Sequence, residues 1–464
     1  MKKHVVISPT SCMGLVGIHE GAYKKALTFD PDAVAVDAGS LDPGPYYLGA
    51  GLPHVPRYKM KEDCRIMMEG LLTNKTTMVM GSAGGSGGHK HIKWHLDIMD
   101  EVAKEMGKTF KVAIVDTTLD KEYLKQRVRK ERIEGCQHDA ILTEEAIDNA
   151  TEIVAQVGTE ALIKALDMNP DIVLAGRACD NACFAADAVR KGFDKGLALH
   201  LGKIVECGSA CAIQLPGSKI MRTPMVATLY EDHFIVEPAT PDWICTVRSV
   251  TGHELYERTD PHIQAEPGGI LDMSNVEITQ HTERSVKVSG SRWRDDPHSY
   301  KVKLEGAEKV GHRCLFITGA RDPNFIRNID WVINFTKQRI IDEFSPKGLV
   351  EGKDYYVIFR VYGRNAVMGE LETKEPQSPH ELGVIMEIIG KTQELAHEIS
   401  YFGKYGMVWC NYPGRTTISG NVGYTYSPSI LDAGEAYRLN VHHLLPIDKD
   451  QSLFDVKIVE VGKQ

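Results

Sequence analysis

The residues best suited to chemistry begin with a glycine-rich segment, GSAGGSGG at 81–88, which directly follows the apolar run TMVM. Glycine has no Cβ, so successive backbone N–H groups in such a segment can turn toward one point and bind an anion. A helix starting behind the segment would add the partial positive charge of its N-terminus. We therefore predict a loop that binds a carboxylate or phosphate through Ser82, Gly84, Gly85, Ser86, Gly87 and Gly88. A mobile lid or a structural turn is the alternative.

Three histidines follow this segment, in HKHIKWH at 89–95. His89 stands where the loop meets the helix, and imidazole titrates near neutral pH, so we predict that His89 contacts substrate or transfers a proton. His91 and His95 are four residues apart and could share a metal on one helix face, although no glutamate follows His91 as in the zincin motif. The segment lacks both the dinucleotide-binding fingerprint and the GK[ST] ending of a P-loop.

A second reactive segment is LAGRACDNAC at 174–183. Arg177 can hold a carboxylate through two parallel hydrogen bonds, and Asp180 can act as a base or orient the arginine. Asn181 adds a further polar contact beside them. The alternative is an Arg–Asp pair that only locks the loop. A similar Arg–Asn pair, Arg364 and Asn365, follows a later strand, where it could close over the site as a substrate contact or serve turn and interface packing.

Cysteines form two C-x-x-x-C pairs, at Cys179 with Cys183 and at Cys207 with Cys211. That spacing falls within the range of zinc ligands, and two such pairs could also bind an iron–sulfur cluster. Small buried thiols are the alternative, and nothing else in the sequence requires a cofactor. Ten cysteines in 464 residues are too sparse for a disulfide scaffold, so we expect thiols in a reducing compartment.

The elements that must position these residues repeat a short apolar run, a polar break and a stretch of helical period. Continuous apolar runs are typical of strands buried on both faces of a parallel sheet. They occur at 4–8, 33–38, 77–81, 111–116 and 171–176. Because ligands of such sheets bind at the carboxyl ends of the strands, we expect the loops after these runs to meet at one rim.

Helices are predicted between and after these strands. The segment 91–106 places apolar residues on one stripe, with Gly107 as its C-cap. A second long helix is predicted from an N-cap at Thr143 to Pro170. Further helices are expected at 328–344 and from Pro379 through ELGVIMEIIGKTQELAHEI.

The fold class follows from this alternation. We predict an α/β protein, with an open, mainly parallel sheet and the glycine-rich anion-binding loop in an N-terminal domain at 1–215. After Pro216 the strands become shorter, which indicates a second, α+β domain at 216–464.

Charge excludes one function class. The formal net charge is −9, and lysines and arginines are not concentrated as a nucleic-acid site requires, so no nucleic-acid partner is expected. The N-terminus resembles no signal peptide and no stretch is long and uncharged enough to span a bilayer, so we expect a cytoplasmic protein without membrane attachment.

Several segments together resemble the AtuA-type acyclic terpene utilisation family. They are IVLAGRACDNACFAADAVRKGFD, HLGKIVECG, ITGARDPNFIRNIDWVI and the early DAGSLDPGPYYLGAG. The resemblance implies a catabolic role on small branched carboxylates or their thioesters, with a short companion protein as a partner. It also implies that Asp37 belongs to the site with the 81–88 loop, Arg177 and Asp180.

The resulting hypothesis is an enzyme, a hydro-lyase or related hydratase that acts on a small branched carboxylic acid or its acyl-thioester and is expected to be a homo-oligomer. The glycine-rich loop and Arg177 would hold the carboxylate, while Asp180, Asp37 or His89 moves protons. Backbone amides and arginine would stabilise the negative charge that develops beside the carbonyl. Two alternatives stay open: a hydratase that depends on zinc or an iron–sulfur cluster, and a non-catalytic subunit that binds ligand for a companion enzyme.

Overall fold

The fold is described from a computed structural model, covering residues 2–74, 76–136, 139–296, 300–374 and 379–463. The strands are β1 (His4–Ser8), β2 (Ala33–Asp37), β3 (Thr77–Gly81), β4 (Phe110–Val115), β5 (Ala150–Gln156), β6 (Ile172–Ala175), β7 (Ile213–Gln214), β8 (Met225–Leu229), β9 (His233–Pro238), β10 (Trp243–Ile244), β11 (Ile263–Glu266), β12 (Gly269–Asp272), β13 (Glu277–Gln280), β14 (Val286–Ser289), β15 (Arg292–Asp295), β16 (Tyr300–Ala320), β17 (Tyr355–Tyr362), β18 (Leu382–Gly390), β19 (Gly423–Tyr424), β20 (Ile430–Ile447) and β21 (Val456–Val461).

The helices are α1 (Glu20–Leu27), α2 (Tyr46–Ala50), α3 (Arg57–Thr73), α4 (His89–Met106), α5 (Lys121–Lys130), α6 (Glu144–Asn149), α7 (Thr159–Leu166), α8 (Ala182–Arg190), α9 (Lys195–Val205), α10 (Val247–Glu254), α11 (Pro323–Arg327), α12 (Ile329–Phe344) and α13 (Gln393–Trp409). Within the described ranges, every helix is too short or too polar to cross a bilayer.

All five predicted N-terminal strands are confirmed, and they lie side by side in one sheet. Their order is β1-β2-β3-β6-β4, and each neighbouring pair is parallel. Antiparallel strands extend this core on both sides, β8-β9-β14-β13 beyond β1 and β21 beyond β4. The α/β class is therefore confirmed, while the sheet is mixed rather than mainly parallel, because residues after 216 return to pair with its first strand.

Both faces of the parallel core are buried, as the continuous apolar runs predicted. Successive residues of one strand alternate between two hydrophobic clusters: Val79 packs into the first, Met78 and Met80 into the second. Helix α4 covers one face and ends at Gly107, whose backbone is left-handed (φ +62°), so the predicted C-cap is confirmed.

Two predicted helices are wrong. Thr143 does cap a helix, since its hydroxyl accepts a hydrogen bond from the Ala146 N–H, but that helix, α6, ends at Asn149. The following residues form strand β5, because their β-branched and alternating side chains pair antiparallel with β16, and α7 begins only at Thr159. Likewise 382–390 is strand β18, central between β16 and β17, and the helix predicted from Pro379 starts at Gln393.

By contact density the chain divides into a larger unit, 1–308 with 439–464, and a smaller unit, 309–438. The larger unit contains the ten-stranded sheet. In the smaller unit α12 and α13 pack on an antiparallel sheet that includes β17 and β18 around a separate core. The two domains predicted from the sequence, 1–215 and 216–464, stay a prediction.

The loops that leave β2 and β3 pack backbone to backbone, which gives a first testable prediction. A Cβ at Gly39 would lie 2.1 Å from the Cα of Gly85, so Gly39→Ala must displace main chain and should destabilise the protein by about 1–3 kcal/mol. Gly252→Ala is the matched control, because a Cβ there meets nothing within 4 Å and alanine favours the helix. Chemical denaturation checks both, and equal stabilities would contradict the predicted packing.

Candidate functional site

The loops that leave the parallel strands meet at one rim, joined by backbone hydrogen bonds beyond the strand ends. The Ala38 N–H donates to Gly81 O at 2.8 Å, and the Ser82 N–H donates to Gly176 O at 2.8 Å. The Arg177 N–H donates to Thr117 Oγ1 at 2.7 Å. Residues that follow β2, β3, β4 and β6 therefore lie together at the carboxyl edge of the sheet, as the alternation predicted.

Arg177 is the centre of this rim, and its guanidinium is fixed from several sides. Nε donates to Glu305 Oε2 at 2.8 Å, and Nη1 donates to Ser82 Oγ at 2.9 Å, to Ala178 O at 3.2 Å and to Asp180 Oδ1 at 3.4 Å. Within the described residues Nη2 has no hydrogen-bond partner. The side chain is only 6% exposed, so the guanidinium is held rigidly with one donor group unused.

Glu305, which sequence reasoning missed, is the counter-ion of Arg177. It is 4% exposed and also accepts from Lys303 Nζ at 2.8 Å, so its two oxygens bind two cations. Burial raises the pKa of Glu305, but Arg177 and Lys303 outweigh burial and lower it to about 2. The carboxylate is therefore a permanent anion. It comes from β16, whose pairing with β5 sets Glu305 opposite Val154.

Asp37 ends β2 behind the guanidinium and is buried. Burial and the charge of Asp180 raise its pKa well above the ordinary value, although Arg177 and the hydrogen bonds of Ser82 and Gly39 oppose the shift. Its Oδ1 has no hydrogen-bond partner among the described residues. A buried carboxyl oxygen without a partner is costly, and a catalytic role is one of the reasons for which proteins retain such a group.

The glycine-rich loop lies beside Arg177, but it is packed against protein. Residues 81–88 are all buried, and a Cβ at Gly87 would lie 2.1 Å from the Arg177 nitrogen. Added Cβ atoms at Gly84, Gly85 and Gly88 would meet His91, His54 and Glu152. Ser82 bonds Arg177, whereas the Ser86 hydroxyl is buried without a partner in the described part of the chain.

The N-terminus of α4 already holds an anion from the protein itself. The His89 N–H donates to Glu152 Oε1 at 3.0 Å, so this carboxylate takes the position predicted for a bound ligand. The His89 ring is 62% exposed and its Nε2 lies 2.8 Å from Asp116 Oδ2. The anion-binding role of the loop and the proton-transfer role of His89 stay predictions.

His91 and His95 are buried on α4 and have separate partners. His91 Nε2 lies 3.0 Å from Leu52 O, and His95 Nε2 lies 3.5 Å from Cys64 Sγ. Burial lowers the pKa of both rings, that of His95 to about 4. Both are therefore neutral rings within the packing of α4.

A cavity of about 280 Å³ opens beside Arg177 and Asp180, and nearly all of its lining is polar. Its lining residues are Ser40, Asp42, Gln156, Arg177, Cys179, Asp180, Asn181, Lys203, Glu206, Glu257, Gln264, Ala265, Glu266 and Lys303. Three cations and several carboxylates thus face a space suited to a small, charged molecule.

Glu266, at the end of β11, is the second residue that sequence reasoning missed. Burial raises its pKa to about 7, with a contribution from Asp180, while hydrogen bonds from Asn181 and Gln264 oppose the shift. The predicted site residue Asn181 donates to Glu266 Oε1 at 2.6 Å. A carboxyl group that titrates near neutral pH can donate and accept protons under cellular conditions.

Lys203 and Glu206 form a buried ion pair at the cavity wall, with Nζ 2.5 Å from Oε1. Burial lowers the pKa of Lys203, but the Glu206 carboxylate outweighs burial and raises it. The sequence could have indicated this buried pair, because the run GLALHLGKIVECG places the two charged residues three positions apart in an otherwise apolar segment. Charged residues are rarely buried unless they are paired.

The cysteines predicted as ligands do not cluster. Cys179, Cys183 and Cys211 are buried, and a Cβ at Gly81 would meet Cys183 Sγ at 2.4 Å. Cys207 lies with Glu206 and His253 in a group whose ligand atoms are within 4.8 Å of one another. Across the described ranges, no three of the four cysteines form such a group.

A larger cavity of about 720 Å³ adjoins the first, and the two share Gln156, Cys179, Ala265, Glu266 and Lys303 as lining. Its apolar surface comes from residues such as Pro267, Ile270 and Leu444. Arg294 and Lys301 add positive charge to its wall. Glu266 therefore stands where a polar space meets a wider and more apolar one.

Arg364 and Asn365 belong to the smaller unit. Arg364 Nη1 donates to Asp330 Oδ1 at 2.6 Å, and the Asn365 amide donates to Gly369 O at 3.4 Å. Their predicted contact with substrate stays a prediction.

Comparison with known proteins matches residues 60–429 to a family model, described as acyclic terpene utilisation family protein AtuA. No curated protein and no solved structure matches the chain. The matched range includes β3, the Arg177 segment, Glu266 and Glu305, so it covers most of the rim and cavity. The resemblance found in the sequence is thereby confirmed, and the chain belongs to the acyclic terpene utilisation family AtuA.

Proposed function

We propose that the protein is a catabolic enzyme, a hydro-lyase or hydratase that acts on a branched carboxylic acid or its acyl-thioester. The observation that carries the proposal is the guanidinium of Arg177, fixed beside a polar cavity with Nη2 unused and with carboxyl groups in the cavity wall. The family description, utilisation of acyclic terpenes, supports the catabolic context.

Arg177 and Lys303 are the groups that would bind the carboxylate or thioester oxygen. Both are already ion-paired with Glu305, so their positions are fixed before a ligand arrives. Prepositioned positive groups stabilise the enolate-like charge of proton abstraction without reorganising during the reaction.

Glu266 and Asp180 both line the cavity and are the groups that would move protons. One carboxylate removes a proton from the carbon next to the carbonyl, and the C–H electron pair forms the new double bond. The bond from the neighbouring carbon to its hydroxyl breaks, the other carboxyl group protonates that oxygen, and water leaves. Hydration is the reverse. A pKa of about 7 suits Glu266 for either role.

The paired cavities suit a substrate with two different ends. The smaller space fits a charged head, while the larger one, with Ile270 and Leu444, can hold a branched apolar chain. This division agrees with a family named for the utilisation of acyclic terpenes, which are branched and apolar molecules.

Proton exchange tests the proposal. Branched hydroxy acids and the corresponding unsaturated acids, as free acids and coenzyme A thioesters, are incubated with the protein in D₂O and followed by NMR. We expect deuterium to enter next to the carbonyl, and Asp180→Asn to slow this by about 10²-fold or more. Asp42→Asn, the same change in the same cavity, should keep most of the rate. If no compound showed either deuterium exchange or hydration, the proposal would be overturned.

Binding depends on the shape of the guanidinium. Arg177→Lys keeps a charge beside Glu305 but loses Nη2 and the fork geometry, so affinity for the carboxylate that exchanges best should fall about 10- to 100-fold. Arg190→Lys is the matched control, because Arg190 also pairs with a buried carboxylate, that of Asp187, but does not line the cavity. Calorimetric titration measures both, and equal affinities would exclude Arg177 as the anchor.

The pH dependence of stability reports on Glu266. Its pKa is raised from 4.5 to about 7 in the folded state, so the folded protein binds more protons than the unfolded chain between these values. Stability should therefore fall as the pH rises from about 4.5 to 7, with Glu266 contributing at most roughly 3 kcal/mol.

Glu266→Gln should remove this part of the slope, whereas Glu257→Gln, a like change in the same cavity, should retain it. Denaturant unfolding at several pH values provides the measurement. Identical slopes for wild type and Glu266→Gln would show that Glu266 does not titrate in this range.

A further inference from the structure

Three side chains of different chemistry meet in the smaller unit, and none of them belongs to the site proposed above. Cys314 comes from β16, His397 from α13 and Asp432 from β20, and their ligand atoms all lie within 4.8 Å of one another. The Cys314 thiol donates to Asp432 Oδ1 at 3.1 Å, and His397 Nδ1 lies 2.9 Å from the same oxygen. Sulfur, imidazole nitrogen and carboxylate oxygen are the three ligand types of zinc.

We propose that Cys314, His397 and Asp432 form a binding site for a divalent transition metal of the zinc type. Tetrahedral zinc with bonds of about 2.0–2.3 Å separates its ligand atoms by about 3.3–3.8 Å. The observed separations of 3.1 Å and 2.9 Å therefore need to open by only about half an ångström. The ion would replace the thiol proton and the hydrogen bond that now join the side chains.

Polar groups of α13 lie along the face that carries His397, and one of them donates to the Cys314 sulfur. The Gln393 amide donates to Cys314 Sγ at 3.0 Å, and Gln393 lies one turn before His397 on α13. Ser400 lies one turn after His397 on α13, and its hydroxyl is fully buried without a hydrogen-bond partner among the described residues. Donors of this kind orient a ligand and stabilise its charge once the proton is lost.

Charge also favours a cation here. Asp432 Oδ1 lies 2.9 Å from His397 Nδ1, and in the part of the chain that the structure describes Asp432 has no ion pair with lysine or arginine. One thiolate and one carboxylate together would neutralise the charge of a divalent ion. The group of Glu206, Cys207 and His253 differs, because the ammonium of Lys203 already occupies the Glu206 carboxylate.

An ion could enter from solvent. His397 and Asp432 are about half exposed, whereas Cys314 is buried. Three protein ligands would leave one coordination position facing outward, which is the arrangement of exchangeable or catalytic zinc rather than of closed structural zinc.

Metal binding would displace the proton of the Cys314 thiol. Without metal, the Cys314 thiol keeps its proton and donates it in the hydrogen bond to Asp432 Oδ1. Binding would release that proton to solvent, and a ring nitrogen of His397 would bind the ion through its lone pair.

Cobalt titration of the chelator-treated protein tests the site, because Co²⁺ bound to thiolate gives a charge-transfer band. We expect one equivalent of Co²⁺ to produce this band in the wild type, and Cys314→Ser to abolish it. Cys207→Ser, which alters the other group, should leave the band intact. His397→Gln and Asp432→Asn, at half-exposed positions, should weaken Co²⁺ and Zn²⁺ binding at least tenfold.

The absence of a band in the wild type would overturn the proposal. So would a band that persists in folded Cys314→Ser, or one that depends on Cys207. Circular dichroism establishes folding, and if Cys314→Ser does not fold, unchanged affinity in both His397→Gln and Asp432→Asn would overturn the site in its place.

Discussion

The candidate site depends on one buried ion pair, between Arg177 and Glu305. Taking two charges out of water costs several kcal/mol for each, and a buried pair compensates only when further bonds satisfy both groups. That condition is met, since Glu305 also binds Lys303 and Arg177 also bonds Ser82. Because the pair joins the loop after β6 to strand β16, it fixes the guanidinium relative to the cavity.

Around this pair the carboxyl groups divide into fixed anions and titrating acids. Glu305, with two cations, has its pKa lowered to about 2, whereas burial raises the pKa of Glu266 to about 7. Asp37, buried with an unbonded oxygen, also has its pKa raised. When their environments push the pKa values of two carboxyl groups apart, one group can hold its charge while the other exchanges protons. This difference is the basis of acid–base assignments in enzymes.

Local patterns in the sequence predicted the local structure well. The five buried strands, α4 with its cap at Gly107, and the gathering of Arg177, Asp180 and Ser82 at one rim all follow from apolar runs and from the geometry of parallel strands. Glu305 and Glu266 could not be predicted in this way. Each meets its partner across a long stretch of chain, Glu305 with Arg177 over 128 positions and Glu266 with Asn181 over 85, and no local pattern in the sequence reports such a contact.

The glycine-rich loop illustrates why composition alone leaves function open. Its glycines were predicted to free backbone for an anion, yet side chains at these positions would collide with Arg177, His54 and Glu152. Glycine permits the close approach of any group, and only the neighbours decide whether that group is a ligand or the protein itself. Here the close packing places Ser82 Oγ 2.9 Å from Nη1 of Arg177. Through this hydrogen bond the loop helps to hold the guanidinium in place beside the cavity.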